Sequence, residues 1–141
     1  MTALSTLKTL ISSWKAGDIE TILAQLADDV VYHYHIGSPP LEGKTAVKAF
    51  LDKFGSGQTN INWRLTNYAE TGNAVLVEGI DDYVNAEGVH IQMPYMGILE
   101  LKDGLVIRWR DYFDSSLLQK VKEGGSQSMW TKALRDIETA S

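Results

Sequence analysis

The 141-residue sequence predicts an α+β fold in which N-terminal helices pack on one face of a curved, mostly antiparallel sheet. Two observations carry that expectation. Apolar residues recur at helical spacing in the first part of the chain, and from Asn60 onward the period changes to two. The alternating stretches are joined by the short turn signals ETGN, NAEG and KDG, each suited to a hairpin.

Leu4, Leu7, Ile11 and Trp14 mark the first helix. KAGD interrupts it, and Asp18 is a good N-cap for a second helix carrying Ile19, Ile22, Leu23 and Leu26. VVYHYHI, residues 30–36, reads as a strand and GSPPLEG as a turn-rich break. Val47, Phe50, Leu51 and Phe54 mark a third helix ending at GSG. Four strands follow at about 60–69, 74–84, 89–101 and 105–114. SSLLQKVKEGG and the set Trp130, Ala133, Leu134 and Ile137 suggest one or two terminal helices, placed to cover a pocket or a partner. With no repeat and no boundary visible, residues 1–141 read as one domain, a core of about 1–115 and a helical tail of 116–141.

A chain of this size buries roughly 68–70% of its unfolded surface, so its core needs no covalent staples. It contains no cysteine, which excludes disulfides, a thiol nucleophile and cysteine-ligated metals. The formal net charge of −5 supplies no positive field for nucleic acid or an anionic bilayer, so neither is expected as a partner. The phosphate-binding loop, the dinucleotide fingerprint and the serine-hydrolase elbow are all missing, and no cofactor is expected. The first residues lack a secretory pattern, and no run approaches the roughly 20 apolar residues of a membrane helix. A cytoplasmic location fits best.

Candidate chemistry centres on RWRDYFD, residues 108–114. Leu105, Ile107, Trp109, Asp111 and Phe113 share one strand face, and four of the five are apolar. An ionised carboxylate there is costly unless a polar cavity or a partner receives it. The competing reading is a strand-end aspartate that caps a helix or meets an arginine. Asp81 shares parity with Val75, Val77, Gly79 and Tyr83, whereas Asp82 falls on the opposite face, and composition does not decide which acid points inward. Tyr32 and Tyr34 share parity with Val30 and Ile36 and could present two phenols to a ligand. His33 and His35 form an H-x-H pair with no third ligand evident, so hydrogen-bonded histidines are the better reading than a metal site. Trp63, Met93, Tyr95 and Met96 suit an apolar pocket or an ordinary core, and Pro94 implies an edge or bulge near the cavity mouth.

MGILELKDGLVIRWRDYFD, with its preceding helices and hairpins, resembles the SnoaL-like branch of the nuclear transport factor 2-like superfamily, and within it the limonene-1,2-epoxide hydrolases. The likeness runs from the first helix through Asp114 and implies a cone-shaped fold. It also implies that Asp111 activates water and Asp81 protonates an epoxide oxygen, with Tyr32, Tyr34 and Trp109 at the site. Two positions depart from that pattern. Tyr34 stands for the usual asparagine, and Gly79 for the arginine that bridges the two acids in that family. Without that cation, the resemblance leaves three readings: epoxide hydrolysis, proton transfer beside a carbonyl as in related isomerases and cyclases, or a non-catalytic binding or dimerisation module. A small apolar substrate and a homodimer are the expected partners.

Overall fold

A computed structural model describes residues 2–123 and 131–139. Helix α1 (Ala3–Ala16) starts where Thr2 accepts a hydrogen bond from the Ser5 amide and ends at Gly17, whose φ of 71° gives the left-handed cap. Its buried stripe of Leu7, Leu10, Ile11 and Trp14 lies in the core. Each such side chain contributes roughly 1.5–3 kcal/mol by leaving water. Asp18 caps α2 (Ile19–Ala24) by accepting from the Thr21 amide.

Leu26 does not extend α2 as its spacing predicts. It opens strand β1 (Leu26–His33) as the register partner of Val106, and it is fully buried. A residue three or four places along fits a helical stripe by spacing alone, and here pairing with a distant strand takes precedence. Strand β2 (Leu41–Glu42) lies in the expected break and pairs with β1. Helix α3 (Lys44–Gly55) buries Val47 and Leu51 in the core.

Strands β3 (Arg64–Thr71), β4 (Ala74–Val84), β5 (His90–Lys102) and β6 (Leu105–Tyr112) are joined by the three predicted hairpins. Among the described residues the sheet order is β2-β1-β6-β5-β4-β3, antiparallel except where β1 runs parallel to β6. Strand β3 begins four residues later than the alternation predicts. Residues 60–63 leave the ladder, although Ile61 and Trp63 still pack on the core.

Two other expectations are corrected by irregularities of the ladder. The alternation does not hold back to Leu105, because the register of β5 and β6 shifts near Ile107. Val106 takes the inward place opposite Leu101, and Leu105 is exposed. Pro94 sits inside the long strand β5, opposite Ile80. It is tolerated because β6 reaches only as far as Met96, so β5 is an edge on that side at Pro94.

The strand ends at Tyr112, and Asp114 caps α4 (Ser115–Lys122) by accepting from the Ser116 and Leu117 amides. Val121 of α4 packs with Tyr83, Ile91 and Met93. Helix α5 (Lys132–Arg135) lies against the other face, where Arg135 donates to Gln92 and its carbonyl accepts from Arg64. Trp130, expected in this tail helix, lies outside the described residues.

Candidate active site

The inner face of the sheet does not close over a sealed core. Between it and helices α1 to α4 lies a cavity of about 370 Å³, and eight of the residues singled out above line it: Tyr32, Tyr34, Trp63, Asp81, Met93, Tyr95, Trp109 and Asp111. The register explains their grouping. Asp81 on β4 is opposite Met93 on β5, Asp111 on β6 is opposite Gly97, and Tyr95 lies between Met93 and Gly97 on the same face. Tyr95 therefore stands on the strand that separates the two acids.

Asp111 is half-buried and lines the cavity. The Tyr32 hydroxyl donates to its Oδ2 at 3.2 Å. The parallel pairing that sets Tyr32 beside Trp109 also stacks their rings, with centroids 4.1 Å apart and planes 16° from parallel. This stack fixes the phenol that holds the acid. Tyr34 lies just past the end of β1 with its ring on Phe50, 4.4 Å between centroids. Trp63 donates its indole N–H to the Tyr95 hydroxyl oxygen at 2.7 Å. The Tyr95 proton is thus left to serve another acceptor.

Burial pushes Asp111 up to about 7; the charge of Asp81 adds to the rise, and the Tyr32 and Trp109 hydrogen bonds oppose it. Burial also pushes Asp81 up to about 7, with the charge of Asp82 adding. Burial and nearby acid charge hold Tyr32 and Tyr95 well above the ordinary phenol range, so both remain donors at neutral pH.

Asp82 faces the other way. Burial would raise it, but hydrogen bonds from Arg64, His90 and Gln92 outweigh that and hold it below the usual carboxylate range. Its Arg64 contact is 2.7 Å and its His90 contact 2.7 Å. Arg108 and Arg110 pair with Glu100 on the outer face. The three arginines closest in sequence to the candidate acids are therefore committed elsewhere.

The glycine at position 79 has a steric counterpart. A Cβ there would lie 2.7 Å from the Arg64 carbonyl oxygen and 2.8 Å from the Tyr95 ring. The tyrosine thus occupies the space in front of Gly79, where a longer side chain would otherwise project. Gly97 is as tightly used: its Cβ would meet Asp111 Oδ1 at 2.9 Å and the Tyr95 ring at 3.3 Å. The two glycines make room for one aromatic ring and one carboxylate.

Some expectations fail at the edges of the site. His35 lines the cavity despite its opposite parity, because β1 ends at His33 and the chain turns. Its ring lies 5.4 Å from that of Phe113, and Nδ1 is 3.1 Å from Ser38 Oγ. Ile36, expected inward, is 58% exposed beyond the same turn, and Met96, expected to add bulk to the pocket, is 56% exposed on the outer face. The cavity also includes Phe50, Phe54, Tyr83, Phe113 and, from α4, Ser115, Leu118, Gln119 and Lys122. Strand parity with Asp81 and Asp111 marks Tyr83 and Phe113 in the sequence, and α4 is the helix expected from SSLLQKVKEGG to cover a pocket or a partner.

The SnoaL-like domain model matches residues 7–109. Epoxide hydrolase EphG of Mycobacterium tuberculosis H37Rv is 30% identical over 97 residues, which span 69% of this chain and 63% of that protein. The solved structure of an M. tuberculosis epoxide hydrolase of the limonene-epoxide-hydrolase-like type superposes with a TM-score of 0.75 at 23% identity, covering 94% of this chain and 95% of that one. A Pseudomonas putida KT2440 protein provisionally assigned as a polyketide cyclase gives 0.66 at 20% identity over 82% and 94% of the two chains. These likenesses agree with the six-stranded sheet, the helices on its inner face and the cavity between them: the chain belongs to the SnoaL-like domain family and has a nuclear transport factor 2-like fold.

Proposed function

We propose that the protein is a cofactor-independent acid-base enzyme that opens the epoxide of a small, largely apolar molecule with water. Two carboxyl groups raised to about 7 within one aromatic cavity support this reading, because the charged and protonated forms both exist near neutral pH. Asp111, held by Tyr32, takes a proton from water as the water oxygen attacks an epoxide carbon. The carbon–oxygen bond breaks and the departing oxygen takes the proton of Asp81. Return of the proton from Asp111 to Asp81 through solvent completes the cycle. Tyr34 and the Tyr95 hydroxyl are placed to orient the water and the ligand oxygen, while Trp63, Met93 and Trp109 enclose the apolar part.

The test is turnover of a panel of small epoxides in ¹⁸O-labelled water. Label should enter the diol, and Asp111→Asn should lower turnover by roughly 10²–10⁴-fold with the fold retained. Unlabelled product, or an undiminished rate in the variant, rejects the assignment.

A second reading has its own support. Tyr95, packed against Gly79, offers an uncharged donor between the acids, which suits a developing enolate oxygen in an isomerase or cyclase. Solvent deuterium at carbon, with no oxygen incorporation, would select it. We also propose a homodimer, supported by the exposed Met96 and Tyr112 paired across the outer face of the sheet. Sedimentation at micromolar concentration decides that point.

A further inference from the structure

We propose that the cavity binds a small organic cation, a protonated alkylamine, held between Asp81 and Asp111. This deepens the reading of the site by naming a ligand class, and it rests on the same two acids but not on their turning over a substrate.

The charge arrangement carries the inference. Among the described residues no ion pair joins Asp81 or Asp111 to a lysine, arginine or histidine; the arginines nearest them in sequence, Arg64, Arg108 and Arg110, are used by Asp82 and Glu100. The other titratable groups that face the cavity are Tyr32 on β1, Tyr34 and His35 just beyond it, Tyr83 on β4, Tyr95 on β5 and Lys122 on α4. The tyrosines on β1, β4 and β5 are held neutral by burial and acid charge. His35 is engaged with Ser38, and Lys122, which lines the cavity from α4, is exposed to solvent and makes no ion pair with either acid. Two acids therefore confront a largely apolar space without a paired countercharge, and burial raises both.

An alkylammonium answers each feature of that space. Its positive head supplies the missing charge and donates charge-assisted hydrogen bonds to the acids. The rings of Trp63, Tyr95 and Trp109 attract a cation as well as apolar carbon. Its alkyl chain fills the apolar remainder. Where an acid is protonated beforehand, binding proceeds as carboxylic acid plus ammonium giving a carboxylate–ammonium pair plus one proton released to solvent.

The experiment is titration calorimetry of the full chain with n-pentylamine, and with 1-pentanol and pentanoic acid as size-matched probes, between about pH 6 and pH 8. The amine should bind at least about tenfold more tightly than the alcohol at the upper pH, and the pentanoate more weakly than either. Its affinity should fall by up to roughly tenfold per unit as the pH drops below the acids' range, with proton uptake by buffer seen as a dependence on buffer ionisation enthalpy. Asp81→Asn and Asp111→Asn should each weaken amine binding by a larger factor than they weaken pentanol binding. Equal affinity for amine and alcohol in the wild-type chain, or amine binding with no pH dependence, overturns the proposal whether or not the variants fold. Amine binding without ¹⁸O incorporation would separate the two readings, since it would retain this one and remove the hydrolase.

Discussion

The Tyr32 hydroxyl donates to Asp111, and a donated hydrogen bond favours the charged carboxylate. Tyr32→Phe removes that donor while keeping the ring that stacks on Trp109. Asp111 should then rise further above the ordinary carboxylate range, and the acidic limb of the pH–rate profile should move to higher pH. The maximal rate should fall by about tenfold, a modest part of the contribution of a positioned acid or base. Trp63→Phe is the companion change. It removes the donor to Tyr95 but no group bonded to Asp111, so the acidic limb should stay in place while KM and kcat change.

Strands β4 and β6 carry the acids on either side of β5, and the close packing of these strands depends on Gly79 and Gly97. Gly97→Ala would set a methyl 2.9 Å from Asp111 Oδ1 and 3.0 Å from the Arg110 carbonyl oxygen. The carboxylate must swing or the β5–β6 ladder must shift, at a cost of about 1–3 kcal/mol, as for other overpacked sites. Chemical denaturation should show that loss together with a fall in turnover. On the helical layer the expected effect is purely structural. Leu7, buried on α1, does not line the cavity, and Leu7→Ala should cost about 2–5 kcal/mol.

Stability of the folded chain is linked to the same acids. Both are raised to about 7 in the fold, above the ordinary carboxylate range they recover on unfolding. The native state therefore binds more protons than the unfolded one across that interval. Their contribution to stability is present at acid pH and is lost as the pH rises through about 7. Asp82 has the opposite sign, because its lowered value makes a contribution that is lost on acidification. Single variants separate the two effects. Asp81→Asn or Asp111→Asn should raise Tm at about pH 8 by several degrees, and by less at about pH 5, as a calorimetric scan would show. A more stable but inactive variant is the expected signature of an acid kept in the fold for function.

Periodicity and turn chemistry made much of this protein legible from its residues. The stripe Leu7, Ile11 and Trp14, the cap at Asp18 and the hairpins at ETGN, NAEG and KDG are local features, set by side-chain spacing and backbone preference. Parity also placed Asp111 and Tyr32 on the face that became the cavity, and resemblance singled out Asp81. Other features depended on distant pairing. Leu26 fits a helix by spacing yet joins β6, His35 reaches the cavity because its strand stops, and the bulge near Ile107 reverses the face on which β6 begins. Nothing local chooses between Asp81 and Asp82. Arg64 and His90, far apart in the chain, take one and leave the other without a countercharge. Spacing along a chain fixes which residues share a face; which faces enclose a space, and which charges meet across it, is fixed by contacts between segments that no short stretch encodes.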